Sequence, residues 1–361
     1  MNERGAAMTL RIILALLALL AGTTGQAGEY YDRYDLAART QGFDIGLQPL
    51  GYPAAMIGAT MRRDRILLQQ LEKLGQPFRS FAFRRGPDIV KFLGKGRLEG
   101  GVLGDMPTIT AAVQDEIDIV GIAKLTTSSV VSREQGLMEQ LAGKRIGYVE
   151  GSSAHHALLQ GLNSVGLSEK LVTLVAMGVD DMPDALDKGT IDAFAAWEPA
   201  PSIALARTPQ NRIVFRAQST DFFVLSRSFT KAHPEAAREV VAGFVRALEW
   251  MRRSRKNAEQ AARWAMADGE ALTGKPAQVT IIQAVAITRR EILDIPSAPA
   301  VPAATGKEPV LASEFRFLRR LGKIPENAPW QNIESALSYN GLHEVLGNRA
   351  RYRLVTFDYR D

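Results

Sequence analysis

Short apolar runs alternate along the chain with stretches whose apolar positions recur every three or four residues. That alternation predicts an α/β fold with largely parallel sheets. "FDIGL" (43–47) reads as a strand, and after Gly51 comes a helix from Ala54 to Leu74. "FRSFAF" then predicts a strand, "GPDIVKFLGKG" a short helix, "GGVLG" a strand, and "MPTITAAVQ" a helix that Pro107 can open in its first turn. "IDIVGIA" closes this first set, and "TTSS" (126–129) reads as a polar break.

The second set repeats the order. "KRIGYV" is a strand, Ser153 to Val165 a helix, "LVTLVAM" a strand, Met182 to Lys188 a short helix, "IDAFAAW" a strand and Glu198 to Leu205 a helix. "RIVF" and "DFFVLS" are the last clear strands. Helices follow at His233 to Arg255, Ala258 to Ala267 and Ser313 to Leu321, interrupted by a Pro/Ala-rich loop over Ile295 to Pro309. The tail from Gly347 to Asp361 places Arg349, Arg351, Arg353 and Arg360 in a strand-like alternation, which suits a solvated face or a partner contact.

Two successive sets imply two lobes, with the chain crossing between them twice and a cleft at the crossover. The expected division is 28–127 for the first lobe, 128–216 for the second, and 217–361 for the return to the first with C-terminal helices and tail. Residues 1–27 read as a secretory signal peptide: Arg4 and Arg11 precede the apolar run "IILALLALLA", and Gly25 and Ala27 stand where a signal peptidase would cut. The run is too short to span a bilayer. A periplasmic location follows as an expectation.

Composition narrows the chemistry further. With 361 residues there is ample material for a core, and the net charge of +5 is spread without the basic, aromatic-interleaved runs of a nucleic-acid footprint. The absence of cysteine excludes disulfides, thiolate metal sites and cysteine nucleophiles. Adjacent His155 and His156 point about 100° apart on a helix and cannot chelate one metal between them. No cofactor or metal site is expected.

Four strand-to-helix junctions look alike: "LQPLGYP" (47–53), "LGDMPT" (103–108), "VEGSSA" (149–154) and "AWEPA" (196–200). In open α/β sheets, ligands sit beyond strand ends where helix N-termini converge. A Gly-Ser-Ser step into a helix can present backbone N–H groups to an anion, or can simply cap the helix. "GDMPTITAA", "LAGKRIGYVEGSSAHHALLQGL", "GTIDAFAAWEP" and "FFVLSRSFTKAHPEAAREVVAGFVRALEW", in that order, resemble the motifs of periplasmic substrate-binding proteins of ABC importers, in the nitrate/sulfonate/taurine-binding family. The resemblance covers residues 43–250 well, and 314–346 more weakly.

The resemblance implies a two-lobed, type II periplasmic binding protein, each lobe a mainly parallel sheet flanked by helices, closing on a ligand at the hinge. It assigns Gly151, Ser152, Ser153 and Ala154 to the anionic head of the ligand, and Gly104, Asp105, Met106 and Pro107 to the facing wall. Asp105 before Met-Pro is also a good N-cap and could instead serve its own helix. Trp197 would wall the pocket, while Glu198 would either meet a ligand ammonium or serve its own helix. Gln48, Leu50 and Tyr52 fall on the first pocket loop, and Tyr52 could instead staple the following helix. Thr126 and Thr127, with Ser128, are hinge candidates, and Asp221 opens a strand near the return crossover.

The expected function is capture of a small organic anion or zwitterion, sulfonate- or taurine-like, and delivery to the permease and ATPase of an inner-membrane importer, by a monomer without nucleic-acid partners. Nitrate, an amine-bearing heterocycle such as a thiamine pyrimidine precursor, and a role as a transporter-independent sensor are the alternatives. An unpaired Glu198 in the pocket would favour a zwitterion over a plain anion. No Ser-His-acid arrangement marks an enzyme, and the cysteine-rich motif of related pyrimidine synthases is missing.

Overall fold

β1 (Phe43–Leu47) is buried at all five positions and runs parallel to both of its neighbours, β2 (Phe78–Ala82) and β3 (Gly100–Gly104). A strand covered on both faces needs an unbroken apolar or small sequence, which "FDIGL" supplies apart from one aspartate. That residue, Asp44, is held by Arg79 of β2 at 2.7 Å. The computed structural model describes residues 29–36, 41–303, 309 and 311–360. The chain divides into a unit ending at Leu36, whose described part is a short turn, and a unit from Ala37 to Asp361 that carries everything below. The signal-peptide reading falls on residues 1–27, outside the described ones.

The centre of the sheet departs from the sequence reading. "TTSS" is no break: Thr126 to Ser129 continue β4 (Ile117–Ser132), paired with Ser219, Gln218, Ala217 and Arg216 of β8 (Arg212–Ser226). "RIVF" and "DFFVLS" are likewise the two ends of β8. Threonine favours extended backbone, and a polar strand centre is stable once a second strand satisfies its ladder. β7 (Ala193–Ala196) continues the sheet from β4, followed by β5 (Arg145–Tyr148) and β6 (Thr173–Ala176). The order is β2-β1-β3-β8-β4-β7-β5-β6, one mixed sheet. Pairings are parallel in the β2-β1-β3 and β7-β5-β6 flanks, and antiparallel where β3, β8, β4 and β7 meet.

The predicted helix 54–74 is two helices, Ala54–Met61 and Arg65–Lys73. Asp64 divides them, because its Oδ1 accepts from the N–H groups of Ile66 and Leu67 and caps the second. Its Oδ2 accepts from Arg246 Nε at 2.7 Å, and Arg246 also donates to the Tyr352 carbonyl at 2.8 Å. Both partners are buried. Arg246 lies on the long helix Pro234–Arg253, separated from Arg255–Thr273 by Ser254, which caps the latter. These two helices and Ala54–Met61 form the main core with β1 and β8.

The described part of the Pro/Ala-rich segment is irregular, and the Ala300 carbonyl accepts from Ile122 N at 2.7 Å, where β4 slips register. Helices Ile281–Thr288, Trp330–Ala336 and Tyr339–Gly347 went unread in the sequence. The tail is a run of turns rather than a strand, and two of its arginines pair within the chain: Arg351 with Glu235 at 2.9 Å and Arg353 with Glu239 at 3.4 Å. No described helix is long and apolar enough to cross a membrane.

Candidate functional site

Register sets the floor of the site. Gly104 of β3 stands opposite Asp221 of β8, and Asp221 stands opposite Lys124 of β4, giving one row across three strands. A register slip between Ile122 and Lys124 precedes the lysine, the kind of irregularity that re-aims a side chain. Lys124 Nζ lies 3.1 Å from Asp221 Oδ1, and both are nearly enclosed. Burial raises the Asp221 carboxyl above the usual aspartate range, against the pull of Lys124.

This row lines a small cavity. Ser152 and Ser153 form a second wall, at the start of the helix Ser153–Ser164, and Gln48, Pro107 and Trp197 close the remaining sides. Ser152 caps: its hydroxyl donates to the Val149 carbonyl at 2.7 Å and accepts from His155 N at 3.2 Å. Gly151 makes the turn at φ +72°, and its N–H donates to His155 Nδ1. The N–H groups of Ser153 and Ala154 have no acceptor among the described residues. Ser153 Oγ lies where a side chain on Gly104 would go, since a Cβ there would stand 1.9 Å away. Gly51 similarly makes room for the Trp197 indole: a Cβ would come within 2.8 Å of Nε1. Gln48 Nε2 donates to the Val102 carbonyl at 2.6 Å.

Other residues singled out in the sequence are placed elsewhere. Leu50 and Tyr52 line a separate, mainly apolar groove with Pro183, Ile203 and Met266. Burial raises the Tyr52 phenol above its ordinary range. Glu198 faces its own helix, accepting from Ser202 N at 3.3 Å, and has Arg290 at 3.9 Å. Thr126 bonds Glu291, and with Thr127 it sits mid-strand in β4. Met106 is buried at the start of the helix Asp105–Val113. Asp105 turns away from the cavity: Oδ1 accepts from Met106 N at 2.6 Å and Oδ2 from Thr220 N at 3.4 Å.

Lys124 escaped the sequence reading, although a lone lysine inside "IDIVGIAKL" is a visible anomaly. Neither imidazole serves the two serines as a base. His155 Nε2 engages Glu169 at 3.2 Å, and His156 faces Asp105.

Residues 86–258 match the family described as "NMT1/THI5 like". The taurine-binding periplasmic protein of Escherichia coli (strain K12) is 31% identical over 166 residues, 43% of this chain and 52% of that protein. The chain spans about half to two thirds of the length of the curated relatives it matches, which bear the names of binding proteins. Among solved structures, the periplasmic aliphatic sulphonate binding protein SsuA from Escherichia coli aligns with a TM-score of 0.56 at 21% identity, over 81% of this chain and 99% of that one. The desulfurization enzyme DSZB aligns with a TM-score of 0.54 at 14% identity, over 86% and 99%. The fold therefore serves binding and catalysis alike. Residues 86–258 are thus similar to the NMT1/THI5-like family, and the chain has the fold of the periplasmic sulphonate-binding proteins.

Proposed function

We propose that this protein is a periplasmic solute-binding protein that captures a small zwitterion of the aminosulfonate class between the two flanks of its sheet and passes it to an ABC permease. One observation carries the reading: the buried Lys124–Asp221 row faces the open N-terminus of the helix Ser153–Ser164 across one small cavity. An anionic head fits the N–H groups of Ser153 and Ala154, the Ser153 hydroxyl and Lys124, where the helix dipole adds to the charge. A ligand ammonium fits Asp221, which replaces Glu198 as the acid of the pocket. Trp197 covers the hydrocarbon between them. The 28–127, 128–216 and 217–361 division, with β4 and β8 as the connection, supplies the closure that desolvates both ends of the ligand.

Thermal shift and calorimetry against taurine, alkanesulfonates, nitrate, carboxylates and an aminopyrimidine test the reading, since a ligand of the native state raises the melting temperature. Taurine-like zwitterions are expected to bind best. Lys124→Met should abolish binding, whereas Asp221→Asn should weaken the zwitterion by ~10-fold or more and improve plain sulfonates. No response to any member of the panel overturns the proposal, and an Asp221→Asn variant with unchanged preferences overturns the assignment of the ammonium.

A further inference from the structure

Behind the cavity wall, three titratable side chains from distant parts of the chain meet. Asp105 opens one helix, His156 lies in the first turn of the helix Ser153–Ser164, and Glu314 belongs to the helix Ala312–Arg320. A ligand atom from each lies within 4.8 Å of the other two, and His156 Nδ1 is 3.8 Å from Asp105 Oδ1. His156 is 1% exposed and Asp105 0%.

This grouping is poorly explained as core packing. His156 Nδ1 and Glu314 Oε2 are buried without a hydrogen-bond partner among the described residues. Such atoms are costly to enclose, because each loses its water and gains nothing. The charge acting on Glu314 is that of Asp105, of the same sign. One cation at the centre would resolve all three deficits.

We propose that Asp105, His156 and Glu314 form a binding site for a divalent transition cation of the zinc class. The donor set is one imidazole nitrogen and two carboxylate oxygens, which suits zinc or its neighbours better than magnesium or calcium, which take oxygen alone. Bonds of about 2.0 to 2.1 Å place tetrahedral ligands about 3.3 Å apart, so the side chains close by roughly 1 Å on binding. The fourth position is left to water. The far nitrogen of His156 lies 3.0 Å from the Gln160 side-chain amide. With the amide oxygen turned toward it, Nε2 donates, and the Nδ1 lone pair is directed at the metal, the usual outer support of a ligating histidine. The ion would tie together the helices that begin at Gly104–Pro107 and Ser152–Ser153, on both sides of the cavity, and clamp the helix Ala312–Arg320 to them.

The site is tested with Zn²⁺ and Co²⁺ on the chain purified without a histidine tag and stripped with chelator. Calorimetry should show one equivalent of saturable Zn²⁺ binding, and Co²⁺ should give a visible ligand-field spectrum of low coordination number with nitrogen and oxygen donors. His156→Asn and the near-isosteric Glu314→Gln should each weaken binding by ~100-fold. His343→Asn, which removes an exposed histidine, should leave it unchanged. If His156→Asn fails to fold by circular dichroism, Glu314→Gln alone decides. Absence of saturable binding to the parent chain, or binding that survives Glu314→Gln, overturns the site.

Discussion

At the scale of single residues, the decisive pair is Lys124 and Asp221. Asp221 is raised above the ordinary aspartate range by burial, with Asp105's charge adding to the rise and Lys124 opposing it. A carboxyl must be ionised to hold an ammonium, so acidification removes the attraction, and the raised value moves that loss to higher pH than a solvent-exposed aspartate would give. Affinity for a zwitterion is therefore expected to fall as pH is lowered through the mildly acid range. Affinity for a plain sulfonate should hold or improve there. Calorimetric titrations across pH check both, and Asp221→Asn should flatten the first profile. A zwitterion affinity independent of pH down to the ordinary aspartate range would remove Asp221 from the site. The pair itself was hidden in the sequence: it exists because β4 and β8 align in antiparallel register, and register between distant strands leaves no local trace.

At the scale of elements, what was legible followed from local rules. Strand-to-helix junctions announce themselves because glycine, serine and proline act on adjacent backbone groups, and "VEGSSA" folds into the capped helix start that its residues describe. The same rules failed at "TTSS", where a tertiary ladder overrode polarity, and at Asp64, whose capping role splits a continuous apolar periodicity. Asp64 also carries a testable energy. Its buried pairing with Arg246 ties the helix Arg65–Lys73 to Pro234–Arg253 and, through the Tyr352 carbonyl, to the C-terminal turns. Removing one partner strands a charge in the core, so Arg246→Met or Asp64→Ala alone should cost about 3–5 kcal/mol in denaturant unfolding. The double replacement should cost clearly less than the sum. Strict additivity would mean that the two side chains do not act as a pair.

At the scale of the whole molecule, the contacts across the proposed closure include two sets of polar contacts at the surface. On one side, Lys275 bonds Asp181, and Arg207 donates to Gln278 at 2.9 Å. On the other, Lys323 reaches Glu169 at 2.8 Å. Lys275 follows a helix packed on the β1 side of the sheet, whereas Asp181 and Arg207 flank helices beside β7. In the proposed closure these pairs join the parts that would separate for a ligand to enter. They are partly exposed, from Lys323 at 26% to Lys275 at 47%, so each contributes only ~0.2–1 kcal/mol. That size suits a latch that biases the empty protein toward its closed form without fixing it. Lys275→Ala combined with Lys323→Ala should shift the closed population by ~1 kcal/mol, raising Kd about 5-fold. The change should appear in the dissociation rate, since entry into the open form precedes latching. Raising ionic strength should reproduce part of the effect in the parent chain and none in the double variant. Stopped-flow binding measures both rates. An unchanged dissociation rate in the double variant would assign closure to the ligand contacts alone, whereas a loss far beyond 5-fold would place one of these lysines in the binding site itself.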